Sequence, residues 1–360
     1  MKQLYFILGL LVTISTFAQI PTGYYNTATG TGYVLKTQLK NIIDDINDNN
    51  GQVFHDPGTY GQLWQLYESS DVKANGKVWE MYSNCSFTFV TDQDGGSGGN
   101  VECDKFNREH SFPRSWFGDI QTLPIFSDAF HVIPADKKVN GIRGNLAFGE
   151  VLTANYTSLN GSKRGTSSLV GPTGNVFEPA DEFKGDIARG ILYVAVRYEN
   201  LIAGWETNNS DGDNMLDGSS NRVFEQWAID MLYDWHVSDP VSQKELDRQE
   251  AIFAHQDNRN PFIDHPEWVF EIWQTVLSVD EFETVDTIKM FPNPTNGNSV
   301  TILSNKDLAV EVFDILGKKV KVQDITSTQK KLNISGLSKG VYLVKINSEK
   351  GITTKKLIKQ

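Results

Sequence analysis

The stretch FNREHSFPRSW, residues 106–116, sets an acid, a histidine and two arginines close together. It is followed by SDAFHVIPAD at residues 127–136 and by VNGIRGNLAFG at residues 139–149. Charged and polar residues with catalytic chemistry are thus concentrated in about forty positions, each flanked by apolar residues that can anchor it. These three blocks therefore decide how the rest of the chain is interpreted.

The residue types in these blocks suit phosphodiester hydrolysis. The carboxylate of Glu109 and the amide oxygen of Asn145 are hard ligands for Mg²⁺ or Ca²⁺. The imidazole of His110 titrates near neutral pH and can take a proton from water. An arginine such as Arg143 can hold a phosphate through two parallel hydrogen bonds. Base, metal ligands and phosphate clamp are together what this reaction requires.

Each residue alone also has a structural explanation. A Glu-His pair occurs by chance in many proteins, and Asn145 beside a glycine suits a turn or a helix cap. Arg143 can simply solvate the surface, and His131 among apolar neighbours suits a buried structural histidine. Composition and spacing therefore leave the function open.

Taken together, the blocks resemble the bacterial endonuclease I family, whose members carry a ββα-metal finger. The resemblance covers roughly residues 24–275 and ends with QDNRNPFIDHP at residues 256–266, which we interpret as structural. One departure is visible: Ala129 and Phe130 stand before His131, where the family pattern has Leu and a second His. This puts only a secondary contact in doubt.

The resemblance implies a role for each matching position. His110 is the expected general base, and Glu109 and Asn145 are the expected ligands of a single divalent cation. Mg²⁺ is the expected ion, with Ca²⁺ and Mn²⁺ as alternatives. Arg143 is the expected phosphate clamp. The candidates for contacts to the nucleic-acid backbone are Arg108, Arg114 and Arg164. The implied activity is sequence-independent cleavage of DNA, with RNA left open, usually producing 5′-phosphate ends.

The first eighteen residues predict a signal peptide. Lys2 is followed by an apolar run from Leu4 to about Thr16, and Ala18 offers a small residue for cleavage. The alternative, a membrane anchor, is disfavoured because the run is short and no later apolar stretch is long enough to span a bilayer. A secreted or cell-surface protein without a stable membrane span is expected.

Cys85 and Cys103 are the only cysteines. Export exposes them to an oxidising compartment, so a disulfide between them is predicted, and two independent buried thiols are the alternative. Closing this loop would contribute roughly 3 kcal/mol through the entropy of the unfolded chain.

The charge is unevenly distributed. The chain carries −12, while residues 286–360 contain thirteen Lys and six acidic residues, so the preceding residues carry −19. A protein that binds nucleic acid by broad electrostatic attraction is expected to be basic. A local basic patch and a bound cation must therefore overcome a repulsive field, and activity should depend strongly on the divalent concentration.

Periodicity predicts a largely helical first part. Helices are expected over residues 37–46, 63–67, 187–199, 223–235 and 242–255, the last with a Ser242–Glu245 capping box. Residues 78–90 alternate apolar and polar side chains, which predicts a strand. Surface loops are expected at residues 92–100 and 208–221.

The tail changes character. Apolar and polar residues alternate at 299–303, 309–313 and 341–346, with turn residues between these runs, which predicts a small β-sandwich. The segments MFPNP (290–294), VFDILGK (312–318) and LSKGVYLVK (337–345) resemble the C-terminal sorting domain of type IX secretion. That resemblance implies export through the type IX machinery. The alternative is a carbohydrate-binding module, but aromatics suited to stacking on sugars are few.

The predicted fold class is α+β. A signal peptide (residues 1–18) precedes a mixed α/β nuclease domain with a ββα-metal finger (19–285) and an all-β sandwich sorting domain (286–360). Two other functions stay open at this point. One is a non-catalytic, surface-attached nucleic-acid-binding protein on a degenerate nuclease scaffold. The other is a phosphoesterase for small substrates, which would tolerate the acidic surface better.

Overall fold

The structure is a computed structural model that describes residues 20–44, 58–277, 289–303, 307–314, 318–326, 330–348 and 351–360. The described chain forms two compact units, one ending at Leu277 and the other beginning at Lys289. The predicted signal peptide lies outside the described residues.

Two amphipathic helices open the first unit. Helix α1 spans Gly32–Asp44 and α2 spans Leu63–Ser70. The prediction started the first helix at Thr37, but it begins at Gly32 because Leu35 continues the buried face one turn earlier.

Residues 78–90 do not form the predicted strand. In this range, Val78 makes only an isolated bridge with Val72. The buried carboxylate of Glu80 accepts hydrogen bonds from the amides of Tyr82 and Ser83 at 2.8 and 3.0 Å. Because these amides are used locally, they are not available to a neighbouring strand.

The finger follows as an antiparallel hairpin and a helix. Strand β1 (Phe106–His110) pairs with β2 (Val132–Asp136), with Phe106 opposite Asp136 and His110 opposite Val132. Helix α3 (Lys137–Arg143) starts immediately after β2 and packs against both strands. Asp136 begins the helix because its side chain accepts the backbone amides of residues 138 and 139. The order is the ββα order that the resemblance implied.

A second antiparallel sheet comes after the finger. It contains β3 (Val151–Thr157), β4 (Lys163–Ser167) and β5 (Asn175–Glu178), with β4 in the centre. The backbone of Gly149 donates to Phe177 and so connects the end of the finger region to β5.

The rest of the first unit is helical. Its helices are α4 (Lys184–Arg197), α5 (Glu199–Ile202), α6 (Ser210–Asp213), α7 (Gln226–Ser238), α8 (Gln243–Gln256), α9 (Pro261–Asp264) and α10 (Trp268–Trp273). Helix α4 is buried along almost its whole length and packs against α1, α7 and α9. The capping box predicted for Ser242 and Glu245 is present at the start of α8.

The second unit is all-β. Its strands are β6 (Lys289–Phe291), β7 (Ser299–Leu303), β8 (Leu308–Asp314), β9 (Lys319–Ile325), β10 (Lys331–Asn333), β11 (Gly340–Ser348) and β12 (Gly351–Lys359). They form two sheets, in the orders β10-β7-β6 and β12-β11-β8-β9. Side chains from both sheets, such as Ile302 and Val344, share one core, so the unit has the predicted sandwich architecture. Among the described helices of the whole chain, none is long and apolar enough to cross a membrane.

Candidate active site

Glu109 lies in the middle of the finger contacts and is 3% exposed. Its Oε1 accepts a hydrogen bond from the hydroxyl of Tyr82 at 2.9 Å and another from Nη1 of Arg143 at 2.8 Å. Neither of these bonds uses Oε2. Burial raises the pKa of Glu109 above its ordinary value, and Arg143 and Tyr82 partly oppose that rise. Both side-chain hydrogen bonds reach the same oxygen, and a backbone hydrogen bond from His110 also helps to lower the pKa of this carboxyl.

His110 ends β1 and is 5% exposed. Its Nε2 lies 3.0 Å from the carbonyl oxygen of Phe126. Because a carbonyl only accepts, Nε2 carries the proton, and the lone pair of the neutral ring is on Nδ1. No described residue hydrogen-bonds to Nδ1. Burial, and then the nearby His131, lower the pKa of His110 well below 6.5, so the ring is neutral at physiological pH and can accept a proton.

Arg143 is placed differently from the prediction of a phosphate clamp. It is 1% exposed, and besides Glu109 it donates to the backbone carbonyls of His110 at 2.9 Å and Ser111 at 2.7 Å. Its guanidinium also lies 4.6 Å from the ring centroid of Phe148. A guanidinium buried on these partners is not presented to a substrate. Its contacts instead hold the end of α3 against the end of β1.

Asn145 follows α3 by two residues and is exposed. The indole of Trp116 donates to its backbone carbonyl at 3.1 Å, which anchors the main chain while the amide side chain faces solvent. Gly144 separates the end of α3 from Asn145 and has a φ of 58°, a conformation that favours glycine. The buried carboxylate of Glu109 and the exposed amide of Asn145 are donors that fit a hard divalent cation completed by water.

The described residues offer no competing metal cluster of His, Cys or acidic ligands. Their single group of three such residues is Cys85, Cys103 and Asp136. Both sulfurs are joined in a disulfide with a Cα–Cα distance of 5.1 Å, as the sequence predicted, so this group is not a metal site.

Arg108 and Arg114 lie near His110 through aromatic rings. The guanidinium of Arg108 is 3.5 Å from the ring centroid of Tyr60, whose ring is 5.4 Å from that of His110. Arg114 lies 4.9 Å from the ring centroid of Phe126 and donates to Asp119 at 2.6 Å. Both guanidinium groups therefore lie over aromatic rings that are next to the ring of His110.

Arg164 is in β4, where it donates to Asn155 of the neighbouring strand at 3.2 Å. Among the described residues, no hydrogen bond or ion pair connects the Arg164 side chain to the finger. His131 is fully buried and its Nε2 lies 2.6 Å from the carbonyl oxygen of Ile125, which fits the structural role expected for it.

Sequence reasoning did not identify two of the groups that organise this site. The hydroxyl of Tyr82 contacts Glu109 from a segment predicted to be a strand. The carbonyl of Phe126 orients His110 from sixteen residues away. A backbone carbonyl has no sequence signal, and Tyr82 is one of twelve tyrosines, so neither could be singled out from the sequence.

Comparison with known proteins fits this geometry. The endonuclease I family profile matches residues 31–267. The chain belongs to the endonuclease I family. A second profile, the secretion system C-terminal sorting domain, matches residues 289–360. The family match covers the whole described finger and its supporting helices, and the sorting domain coincides with the β-sandwich.

Two curated relatives are similar over about 70% of the chain. An extracellular ribonuclease of Bacillus amyloliquefaciens is 35% identical over 256 residues, which cover 69% of this chain and 78% of that protein. An extracellular ribonuclease of Bacillus subtilis (strain 168) is 34% identical over 278 residues, covering 74% of this chain and 83% of that protein. The endonuclease I member described here is thus a nuclease exported to the medium or the cell surface, with nucleic acid as its substrate and a domain for the type IX machinery.

Proposed function

We propose that this protein is a metal-dependent, sequence-independent endonuclease in which His110 is the general base and a divalent cation is held by Glu109 and Asn145. The observation that carries the proposal is the state of His110. Its Nε2 proton is committed to the carbonyl of Phe126, and its Nδ1 lone pair is engaged by no described residue. A buried, neutral imidazole that is held in one orientation is what a water-activating site requires.

The residues divide the work of hydrolysis. Nδ1 of His110 accepts a proton from a water molecule as its oxygen forms the bond to phosphorus. The Phe126 carbonyl keeps the ring in the required tautomer and stabilises the imidazolium that results. The bond from phosphorus to the 3′-oxygen breaks and this oxygen takes a proton from a second water molecule, which leaves a 5′-phosphate end and a 3′-hydroxyl. His110 then returns its proton to the solvent. Arg143 takes no part in binding the phosphate in this proposal and instead fixes Glu109 and the backbone of His110.

A bound divalent cation, for which we expect Mg²⁺, would neutralise charge on the phosphoryl and leaving oxygens. The acidic balance of residues 1–285 gives this ion a second task, because it must also offset repulsion of the polyanionic substrate. Activity is therefore expected to rise steeply with Mg²⁺ concentration. Comparable rates at low and high Mg²⁺ would contradict this expectation.

RNA is proposed as a substrate alongside DNA. The support is the similarity to two proteins named as extracellular ribonucleases. A site that contacts phosphate rather than base edges tolerates both sugars.

The experiment uses the chain without its predicted signal peptide. Supercoiled plasmid and single-stranded RNA are incubated separately with Mg²⁺, Mn²⁺, Ca²⁺ or EDTA. Cleavage of one or both with a divalent ion is expected, and fragments should ligate without prior phosphorylation because their 5′ ends carry phosphate. His110→Ala should lower the rate about 100-fold or more, because a general base contributes roughly 10²–10⁴.

His265→Ala is the matched control. His265 is a partly exposed histidine in residues 256–266, which we call the closing block, and it contacts Glu267 rather than the finger. It should retain the wild-type rate. Full activity of His110→Ala would show that the base is misassigned. Absence of cleavage with every divalent ion would contradict the enzyme, and hydrolysis of bis-p-nitrophenyl phosphate alone would favour the small-substrate phosphoesterase.

A further inference from the structure

Residues 80–85, which we call the support loop, are attached to the base of the finger at two points. The carboxylate of Glu80 accepts the backbone amide of Asp136 at 3.3 Å as well as the amides of Tyr82 and Ser83. At the other end, Cys85 is bonded to Cys103, whose amide donates to Oδ2 of Asp136 at 2.7 Å. Both attachments meet at the residue that ends β2 and caps α3.

The support loop delivers one side chain to the candidate metal ligand. Tyr82 is fully buried, its ring packs 4.9 Å from that of Phe177, and its hydroxyl donates to Oε1 of Glu109. The backbone of this tyrosine is fixed by Glu80, so the hydroxyl has little freedom to leave Glu109. A buried hydroxyl with one fixed acceptor orients that acceptor strongly.

Two donors on one oxygen define the orientation of the Glu109 carboxylate. Arg143 approaches Oε1 from α3 and Tyr82 approaches it from the support loop. A single donor would let the carboxylate rotate about that bond, whereas two donors from different elements restrict the rotation. Such outer contacts of a ligand set metal affinity because they reduce the reorganisation needed on binding.

We infer that Tyr82 is a positioning residue that holds Glu109 ready for the divalent cation, with the support loop and its disulfide as the scaffold. This inference rests on the proposed function, since it assumes that Glu109 is a metal ligand. It assigns a role in ion binding to a segment of the chain that contributes no ligand itself.

The test measures Mn²⁺ binding directly, by calorimetry and by the electron paramagnetic resonance signal of free Mn²⁺, on the chain without its signal peptide. Tyr82→Phe should weaken Mn²⁺ binding about tenfold, which is the lower end for loss of an outer contact to a ligand. The Mn²⁺ concentration for half-maximal cleavage should rise by the same factor. The rate at saturating Mn²⁺ should stay near that of the wild type, which a general structural defect would not produce.

Tyr198→Phe is the matched control. It also removes a buried hydroxyl that donates to a buried carboxylate, here Asp128 at 2.8 Å, but it does not contact Glu109. Its Mn²⁺ affinity should equal that of the wild type. Unchanged binding by folded Tyr82→Phe, or equal weakening by both variants, overturns the inference.

A third variant separates this inference from the proposed function. If Glu109→Gln weakens Mn²⁺ binding and Tyr82→Phe does not, only the inference fails. If Glu109→Gln binds Mn²⁺ as the wild type does, the assignment of the metal ligand fails and the inference falls with it.

Should Tyr82→Phe not fold, the double variant Cys85→Ala/Cys103→Ala serves instead, because it keeps the hydroxyl but releases the support loop from Cys103. It should weaken Mn²⁺ binding about threefold or more, as expected for a loosened outer contact. Wild-type affinity in that folded variant overturns the inference.

Discussion

The finger and the closing block each contain a buried arginine on a buried carboxylate, but they use the carboxylate differently. In the closing block, Arg259 donates from Nε and Nη2 to both oxygens of Asp264, at 2.7 and 2.9 Å. In the finger, the side-chain donors Tyr82 and Arg143 both reach Oε1 of Glu109. A carboxylate with both oxygens engaged by a guanidinium stabilises packing, whereas one held by a single oxygen can still bind a ligand. The pairing of residue types alone does not distinguish the two.

Removing the carboxylate charge in each region gives the largest expected difference. Glu109→Gln leaves the buried guanidinium of Arg143 without its counter-charge, so it should lower the free energy of unfolding by about 3 kcal/mol. Asp264→Asn should lower it by less, because Arg259 keeps its ion pair with Glu250 at 2.6 Å. Only Glu109→Gln should also lower the cleavage rate of the folded enzyme, by roughly 100-fold or more, because the cation contributes several kcal/mol to the transition state.

The measurement combines urea unfolding with initial rates at saturating Mg²⁺, corrected for the folded fraction. Asp264→Asn should cleave within about twofold of the wild-type rate, since this buried carboxylate is hydrogen-bonded to Arg259, Tyr25 and Gln249 rather than to residues of the finger. A large loss of activity in Asp264→Asn would break the comparison, because the closing block would then have more than a structural role.

Two buried histidines extend the comparison to pH. His110 and His236 each donate from Nε2 to a backbone carbonyl, at 3.0 Å in both cases. Nδ1 of His236, however, lies 3.5 Å from Nη1 of Arg189, whereas Nδ1 of His110 contacts no described residue. Burial, and then Arg189, lower the pKa of His236 to about 4. His236 is therefore interpreted as a structural residue that stays neutral in the folded protein.

The pKa of His236 predicts a loss of stability in acid. The unfolded chain takes up a proton near pH 6.5, but the folded chain does so only near pH 4. The free energy of unfolding should therefore fall as the pH drops through this window, by up to about 3 kcal/mol from this group. His236→Gln should remove that part of the fall, as measured by urea unfolding from pH 8 to pH 4, while His265→Gln should not. Parallel curves for the wild type and His236→Gln would contradict the assignment.

Features with a local cause could be predicted from the sequence. The capping box of α8 needs only Ser242 and Glu245 in register, and the strands of the second unit follow from alternation along a few residues. The disulfide followed from there being just two cysteines in an exported chain. In each case the determining residues are neighbours or unique, so no knowledge of the folded chain is required.

The features in which the structure differs from the sequence prediction depend on distant parts of the chain. Arg143 was expected to face a phosphate, but its partners come from a strand more than thirty residues earlier. The pattern at residues 78–90 has the period of a strand, but Glu80 captures the amides that a strand would need. The hydroxyl of Tyr82 reaches Glu109 from this segment, which is not a strand. An alternation of apolar residues records burial, and burial alone does not fix the backbone conformation.

The smallest expected effect concerns the two arginines beside His110. Arg108 donates to a neutral carbonyl of Tyr60 and lies over aromatic rings, and no acidic side chain among the described residues forms an ion pair with it. Arg114 is paired with Asp119. A cation that neutralises a phosphate releases counterions from the nucleic acid, and a cation already paired with an acid does so less. Arg108→Gln should therefore weaken substrate binding several-fold. It should also reduce the salt-dependence slope by about 0.7–0.9, while Arg114→Gln should change the slope less.

The check is KM for plasmid and RNA between low and moderate salt, with kcat unchanged in both variants. Equal slopes for the two variants would mean that Asp119 releases Arg114 when the substrate binds, and the basic patch beside the base would then comprise both arginines.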